Sequence, residues 1–201
     1  MTTAKTAPLP QALSRDMWSP LLDTANHPQL KPGSLEKRLR RIEEDSAIRD
    51  LFVKYCYAYD SNTCDDVMSV FSDDCVLINP RATFVGADAI RRNYDHLMTT
   101  RRYSFHHVSN LSIRLNEQMD EASATSYWSD KHVGKSGSID GSDGTYTDRL
   151  KKIDGEWKIT ERRITANIFY VMTPYPDAWP PLPEPTRKEG TRDWFGSTFM
   201  R

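Results

Sequence analysis

The sequence predicts an α+β fold in which three N-terminal helices pack on one face of a strongly curved, mainly antiparallel sheet. Two observations carry this. Apolar residues recur every three or four positions up to about residue 98, and from residue 103 that period gives way to alternation through about residue 171. A third observation narrows it: there is no strand–helix–strand alternation and no internal repeat, so the order is helices first and an antiparallel meander after them.

The elements follow in order. Ser34 is placed to cap a helix over about 35–60, with Leu35, Leu39, Ile42, Ile48, Leu51, Phe52, Tyr55 and Tyr59 at helical spacing and Asp60-Ser61-Asn62 as its end. Thr63-Cys64-Asp65-Asp66 has capping-box-like spacing and opens a short helix to about Phe71. A strand runs through Cys75-Val76-Leu77-Ile78, Asn79-Pro80-Arg81 turns the chain, and Phe84-Val85 returns it. Gly86 then precedes a third helix from Ala87 to about Met98. Strands are expected at 103–115, 121–133, 144–153 and 156–171. Asn116-Glu117 and Asp154-Gly155 mark tight turns between them, and the Gly- and Ser-rich segment around 137–144 reads as a longer connection.

This core, 34–172, is flanked by two segments of different composition. Residues 1–33 contain five prolines and little periodicity, which suits an extended arm. In the tail, 173–201, six of the chain's 12 prolines fall between 174 and 185, while Tyr175, Trp179, Trp194, Phe195 and Phe199 favour packing on the domain or on a neighbouring subunit.

Composition removes several function classes. The 201 residues carry 27 basic and 28 acidic side chains, a formal charge of −1, so the electrostatic footprint of a nucleic-acid or anionic-membrane partner is missing. Three cysteines with no C-x-x-C pair argue against a disulfide framework or a sulfur-ligated zinc, and suit a reducing compartment. No secretory leader or membrane-length apolar run is visible, so a soluble cytoplasmic protein is expected. A Gly-rich phosphate loop, a G-x-S-x-G elbow, a dinucleotide fingerprint and an H-x-x-x-H pair are all missing, so neither a cofactor nor a metal is expected.

A bent sheet closed by helices makes a pocket, and its inward side chains are the candidates for chemistry. In 121–133, Ala122, Ala124 and Ser126 share parity with Trp128, Asp130 and His132, small residues at one end and a mixed lining at the other. Asp60 ends a helix, where a carboxylate faces the negative end of the macrodipole and needs a donating partner, for which a histidine is natural. His106 and His107 are adjacent, so a regular strand sends them to opposite faces. Parity with Leu111 and Ile113 favours His107 for the inner face unless a bulge reverses the assignment, and both remain open. Tyr55 and Tyr59 lie on one helix face, as core residues whose hydroxyls can reach a rim. Arg149, Arg162 and Arg163 are available to orient an anionic or phenolic substrate.

These residues resemble a known family. Ile48 through Asp60 (IRDLFVKYCYAYD), Val70 through Leu77 (VFSDDCVL), the His106-His107-Val108-Ser109-Asn110 strand, and Gly155-Glu156-Trp157-Lys158-Ile159 with Arg162 are similar in order and spacing to the SnoaL-like branch of the nuclear-transport-factor-2-like superfamily. The likeness spans about 45–170. It implies a cone-shaped α+β barrel whose pocket holds an Asp–His pair, with Asp60 and His106 at the matching positions, His107 as alternate, and Tyr55, Tyr59 and His132 as looser matches. The proline-rich tail departs from the minimal family pattern.

The resemblance implies a cofactor-independent lyase, a dehydratase or a carbon–carbon lyase, acting on a small apolar aromatic or polyketide-like substrate in a homo-oligomer, dimer or trimer. His106 would remove a proton while Asp60 fixes the imidazole tautomer. Tyr55 and His132 would assist, with Tyr59, Trp128, Asp130 and Arg149 contacting substrate. An isomerase of the same fold, or a non-catalytic module such as a small-ligand carrier or a dioxygenase β-type subunit, is the alternative.

Overall fold

The computed structural model describes residues 33–134 and 138–172, so the expected arm and tail lie outside the described residues apart from Gly33. Helix α1 spans Leu35–Asp60, and Ser34 caps it by accepting the Lys37 N–H at 3.2 Å. Its C-terminus is a Schellman turn. Asn62 sits in the left-handed region (φ 56), the Asn62 N–H donates to the Tyr59 carbonyl, and the Thr63 N–H donates to that of Ala58. That turn makes Asp60 the last helical residue. The second half of α1 buries the expected stripe, Ile48, Phe52, Tyr55 and Tyr59.

The first half departs from expectation. Leu35, Leu39 and Ile42 are exposed, and Arg41 and Glu44 are the buried residues there. Glu44 accepts hydrogen bonds from Trp157 Nε1 at 2.7 Å and Lys152 Nζ at 2.6 Å, so a polar clasp to the far strands, not apolar burial, sets the helix's rotation.

Helix α2 is only Cys64–Met68, shorter than expected, and strand β1 begins already at Phe71. Thr63 does not cap it: its hydroxyl donates back to the Ala58 carbonyl at 3.1 Å and so serves the end of α1. Strand β1 covers Phe71–Ile78, β2 covers Thr83–Val85, and α3 covers Ala87–Thr100. Strands β3 (Arg101–Leu115), β4 (Glu121–Gly134), β5 (Ile139–Ile153) and β6 (Glu156–Met172) form the meander.

The six-stranded sheet has the order β2-β1-β6-β5-β4-β3, antiparallel throughout except for the β1–β6 pair. It curls around α1 and α3 without closing, with β2 and β3 as its edges. Strand β5 starts five residues earlier than expected. Two of the glycines that suggested a connection, Gly141 and Gly144, are there because neighbours come too close for a side chain. A Cβ on Gly141 would lie 2.6 Å from the Asp130 carbonyl oxygen, and one on Gly144 would collide with the Thr165 backbone. The core, including Ile48, Leu77, Ile90, Ile113 and Ile159, lies between the helices and the concave face. No helix among the described residues is long and apolar enough to cross a membrane.

One irregularity in β3 decides the site. Ser109 pairs with Tyr127 but Ser112 pairs with Thr125, so Asn110 and Leu111 together oppose one residue of β4. Asn110 adopts φ 52, the left-handed conformation of a bulge residue. The extra residue reverses parity: Ser104 and His106 face inward before the bulge, and Ile113 and Leu115 after it. His106 and Ile113 therefore share the concave side despite their odd separation.

Candidate active site

A cavity of about 230 Å³ lies between the concave face, α1 and α3. It exceeds the roughly 150 Å³ apolar cavity that admits benzene, so a substituted single ring fits. Tyr55, Tyr59, His106, Trp128, Asp130 and His132 all line it. Each arrives by an element already described: the tyrosines from the last turns of α1, the histidine from the bulged half of β3, and the last three from the inward parity of β4.

Asp60 holds His106 twice. Its Oδ1 lies 2.7 Å from the ring Nδ1, and its Oδ2 accepts the His106 backbone N–H at 2.9 Å. A carboxylate at Nδ1 fixes the hydrogen there and leaves Nε2 with its lone pair, which is the condition for a base. The His106 side chain is 5% exposed. The Tyr59 ring packs on the imidazole at 4.3 Å between centroids, and Arg101 donates to the Tyr59 hydroxyl. Burial raises the Tyr59 phenol well above its ordinary range, so it stays protonated.

A second acid stands beside His106 on the neighbouring strand, where Asp130 is its cross-strand partner. Asp130 Oδ2 lies 4.0 Å from His106 Nε2 and 3.5 Å from His132 Nδ1, while Oδ1 accepts the Ser142 N–H at 2.9 Å and hydroxyl at 2.6 Å. Burial alone would push the Asp130 carboxyl up, but the His132 and Ser142 donors and the charges of His106 and Arg101 outweigh it and bring it down to about 2. His132 Nε2 lies 2.8 Å from Asp140 Oδ2, so its ring spans two carboxylates.

Beneath this polar end lies an aromatic one. Trp128 stacks on Tyr146 at 5.5 Å, and the Tyr55 hydroxyl meets that of Tyr94 at 3.1 Å. Below the floor, Arg162 is sandwiched between the Tyr55 and Tyr146 rings, 4.3 Å from each centroid, and is paired with Asp148 at 2.7 Å, both side chains 0% exposed.

The structure thus brings together Tyr55, Tyr59, Asp60, His106, Trp128, Asp130 and His132, and it leaves four of the expected residues out of the cavity: Arg162 is sealed beneath the floor by Asp148, Arg163 is exposed, and His107 and Arg149 face outward. His107 is exposed on the outer face with its ring edge-on to Phe105 at 4.6 Å, because the bulge gives the inner position to His106. Arg149 also points outward. Its side chain is 78% exposed and 4.0 Å from Glu161, since it alternates with the inward Asp148 and Leu150. Four residues that sequence reasoning missed also matter: Arg101, Ser142, Tyr146 and Asp140. Tyr146-x-Asp148-x-Leu150 is an alternation that marks Tyr146 as inward, whereas Arg101 sits at a helix–strand junction and Ser142 and Asp140 in a segment that reads as a connection.

Residues 40–163 match the family model described as a SnoaL-like domain. Among solved structures, similar ones include a Novosphingobium aromaticivorans protein named provisionally as an aromatic ring hydroxylase. The identity is 26% and the TM-score 0.61, over 65% of this chain and 94% of that one. A second protein of that organism, named provisionally as a scytalone dehydratase, is 25% identical with a TM-score of 0.62, over 67% of this chain and 91% of the other. A type 2 hexachlorocyclohexane dehydrochlorinase shares the fold at 18% identity and a TM-score of 0.63, over 72% and 99%. No curated protein matches the sequence.

Proposed function

The chain belongs to the SnoaL-like domain family of the nuclear-transport-factor-2-like superfamily, and on that premise we propose that it is a cofactor-independent lyase acting on a small aromatic substrate by proton transfer at His106. The observation that carries this is the two-point grip of Asp60 on His106 inside a cavity with room for a ring.

His106 Nε2 takes a proton from a carbon beside an electron-withdrawing group, or from the hydroxyl of a side-chain hydroxymethyl. In the first case the electron pair forms a carbon–carbon double bond and expels a leaving group from the next carbon. In the second the carbon–carbon bond breaks and formaldehyde departs, leaving a carbanion to be protonated. Asp60 and Asp130 stabilise the imidazolium formed in either case from its two ends. The Tyr59 hydroxyl, polarised by Arg101, donates to negative charge growing on a substrate oxygen. In the elimination His132, between Asp130 and Asp140, supplies a proton to the departing group; in the cleavage the His106 imidazolium returns its proton to the carbanion.

Two of the similar structures carry the names of enzymes that remove water or hydrogen chloride, which supports elimination as the reaction class. The test is turnover of single-ring aromatic β-hydroxy and hydroxymethyl compounds, followed by alkene absorbance and by formaldehyde release. His106→Ala should abolish turnover while ligand affinity stays within about tenfold. Turnover that survives His106→Ala, or ligands that bind the parent without reacting, would sink the proposal.

A further inference from the structure

We infer that the substrate carries a carboxylate, held at the cavity mouth by Arg81 and Arg101 about one aromatic ring away from His106. The inference rests on the cavity being the substrate site proposed above.

Arg81 and Arg101 both line the cavity and an adjoining hollow of about 490 Å³ shared with Thr99, Thr100, His132 and Asp140. Every acid here is already engaged. Asp60 holds His106, Asp130 accepts from Ser142 and faces His132, and Asp140 lies 2.8 Å from His132. Among the described residues neither Arg81 nor Arg101 forms an ion pair with any of them; Arg101 acts on Asp130 only through space. Nor do the two threonines offer donors, because their hydroxyls are given to the carbonyls of His96 and Leu97. The hollow's two guanidinium groups are thus its cations without an acid partner, Arg101 keeping further N–H donors beyond the one given to the Tyr59 hydroxyl, and a guanidinium fork matches a carboxylate better than any neutral oxygen.

Position adds a length requirement. The Tyr59 ring carries His106 against its face and Arg101 at its hydroxyl end. The imidazole centre lies 4.3 Å and the guanidinium carbon 5.3 Å from the centre of that one ring, so a substrate of about one ring's length reaches from the base to the guanidinium. Arg81 is held in reach by its turn, where Asn79 Oδ1 accepts the N–H groups of both Arg81 and Ala82 at 2.9 Å.

Isothermal titration of the full chain with three matched pairs tests this: benzoate and benzamide, phenylacetate and phenylacetamide, cinnamate and cinnamamide. Shape is nearly constant within each pair while charge changes. At least one acid should bind about tenfold tighter than its amide at low salt, as a charge-assisted Arg–carboxylate contact requires. The preference should shrink at high salt and fall below about threefold in Arg81→Met/Arg101→Met. Should that double variant misfold, Arg81→Met alone, in an exposed turn, should still remove a measurable part of the preference. Amides that bind as tightly as their acids in the parent protein overturn this inference and leave the lyase proposal standing. Failure of all six to bind overturns the ligand site itself.

Discussion

Asp60 grips His106 by ring and backbone at once, with its two oxygens 2.7 Å from Nδ1 and 2.9 Å from the main-chain nitrogen. The backbone bond pins the edge strand β3 to the end of α1, and the ring bond sets the tautomer, so one carboxylate fixes both the place and the chemistry of the base. Asp60→Asn preserves the volume but cannot accept at both positions, because one amide atom is a donor. It should lower kcat by about 10²- to 10⁴-fold, the range expected for losing a positioned acid–base group. Ligand affinity measured by titration should change little. A kcat within threefold of the parent would refute the role of Asp60.

The bulge at Asn110 allows a second test. Deleting Asn110 restores regular pairing and sends His106 to the outer face with Ile113 held inward, so activity should vanish while the fold persists by circular dichroism. Asn110→Gly suits the φ of 52 and should be tolerated, whereas Asn110→Val should cost about 1–2 kcal/mol in urea denaturation. Equal stability of the Gly and Val variants would argue that the left-handed conformation is not needed.

That bulge also marks where sequence reasoning stops. Helix α1 was legible to both ends because Ser34 and Asp60-Ser61-Asn62 are local signals, and the inward face of β4 was legible because Ala122 to His132 alternate without interruption. The choice between His106 and His107 was not, since one extra residue reverses every assignment on one side of it and nothing in Ser109-Asn110-Leu111 announces its place. Long-range pairing hid the rest. The Leu35-Leu39-Ile42 spacing is a real apolar period, but the Glu44 clasp to Trp157 and Lys152, more than a hundred residues away, turns that stripe to solvent. The glycines of β5 read as a loop because their cause is the approach of another strand.

Beneath the cavity, the Asp148–Arg162 pair is fully buried and Arg162 lies between two tyrosine rings. Asp148→Leu leaves a guanidinium without its counter-charge and should destabilise by about 3–5 kcal/mol. Replacing both, Asp148→Leu with Arg162→Met, should recover much of that loss, since two buried charges cost more solvation than an apolar pair of similar size. Urea denaturation of the single and double variants measures the difference; a double variant no more stable than the single would show that the rings require the cation.

Acid stability is the last consequence, and its sign follows from Asp130. The folded carboxyl titrates at about 2, below the ordinary 3.8 of the unfolded chain. A depressed carboxyl stabilises the fold fully above about pH 4 and loses that contribution as the pH falls towards 2, here on the order of 2 kcal/mol. Glu44 is lowered too, burial being outweighed by the Lys152 and Trp157 donors, so it acts in the same sense. It is present in both proteins when the parent is compared with Asp130→Asn, and its contribution cancels. The stability gap between parent and variant, measured by urea denaturation, should therefore be constant from pH 6 to about pH 4 and narrow from there to about pH 2. A gap independent of pH over that range would mean that Asp130 is held by its shape alone and that its charge does not serve the histidines beside it.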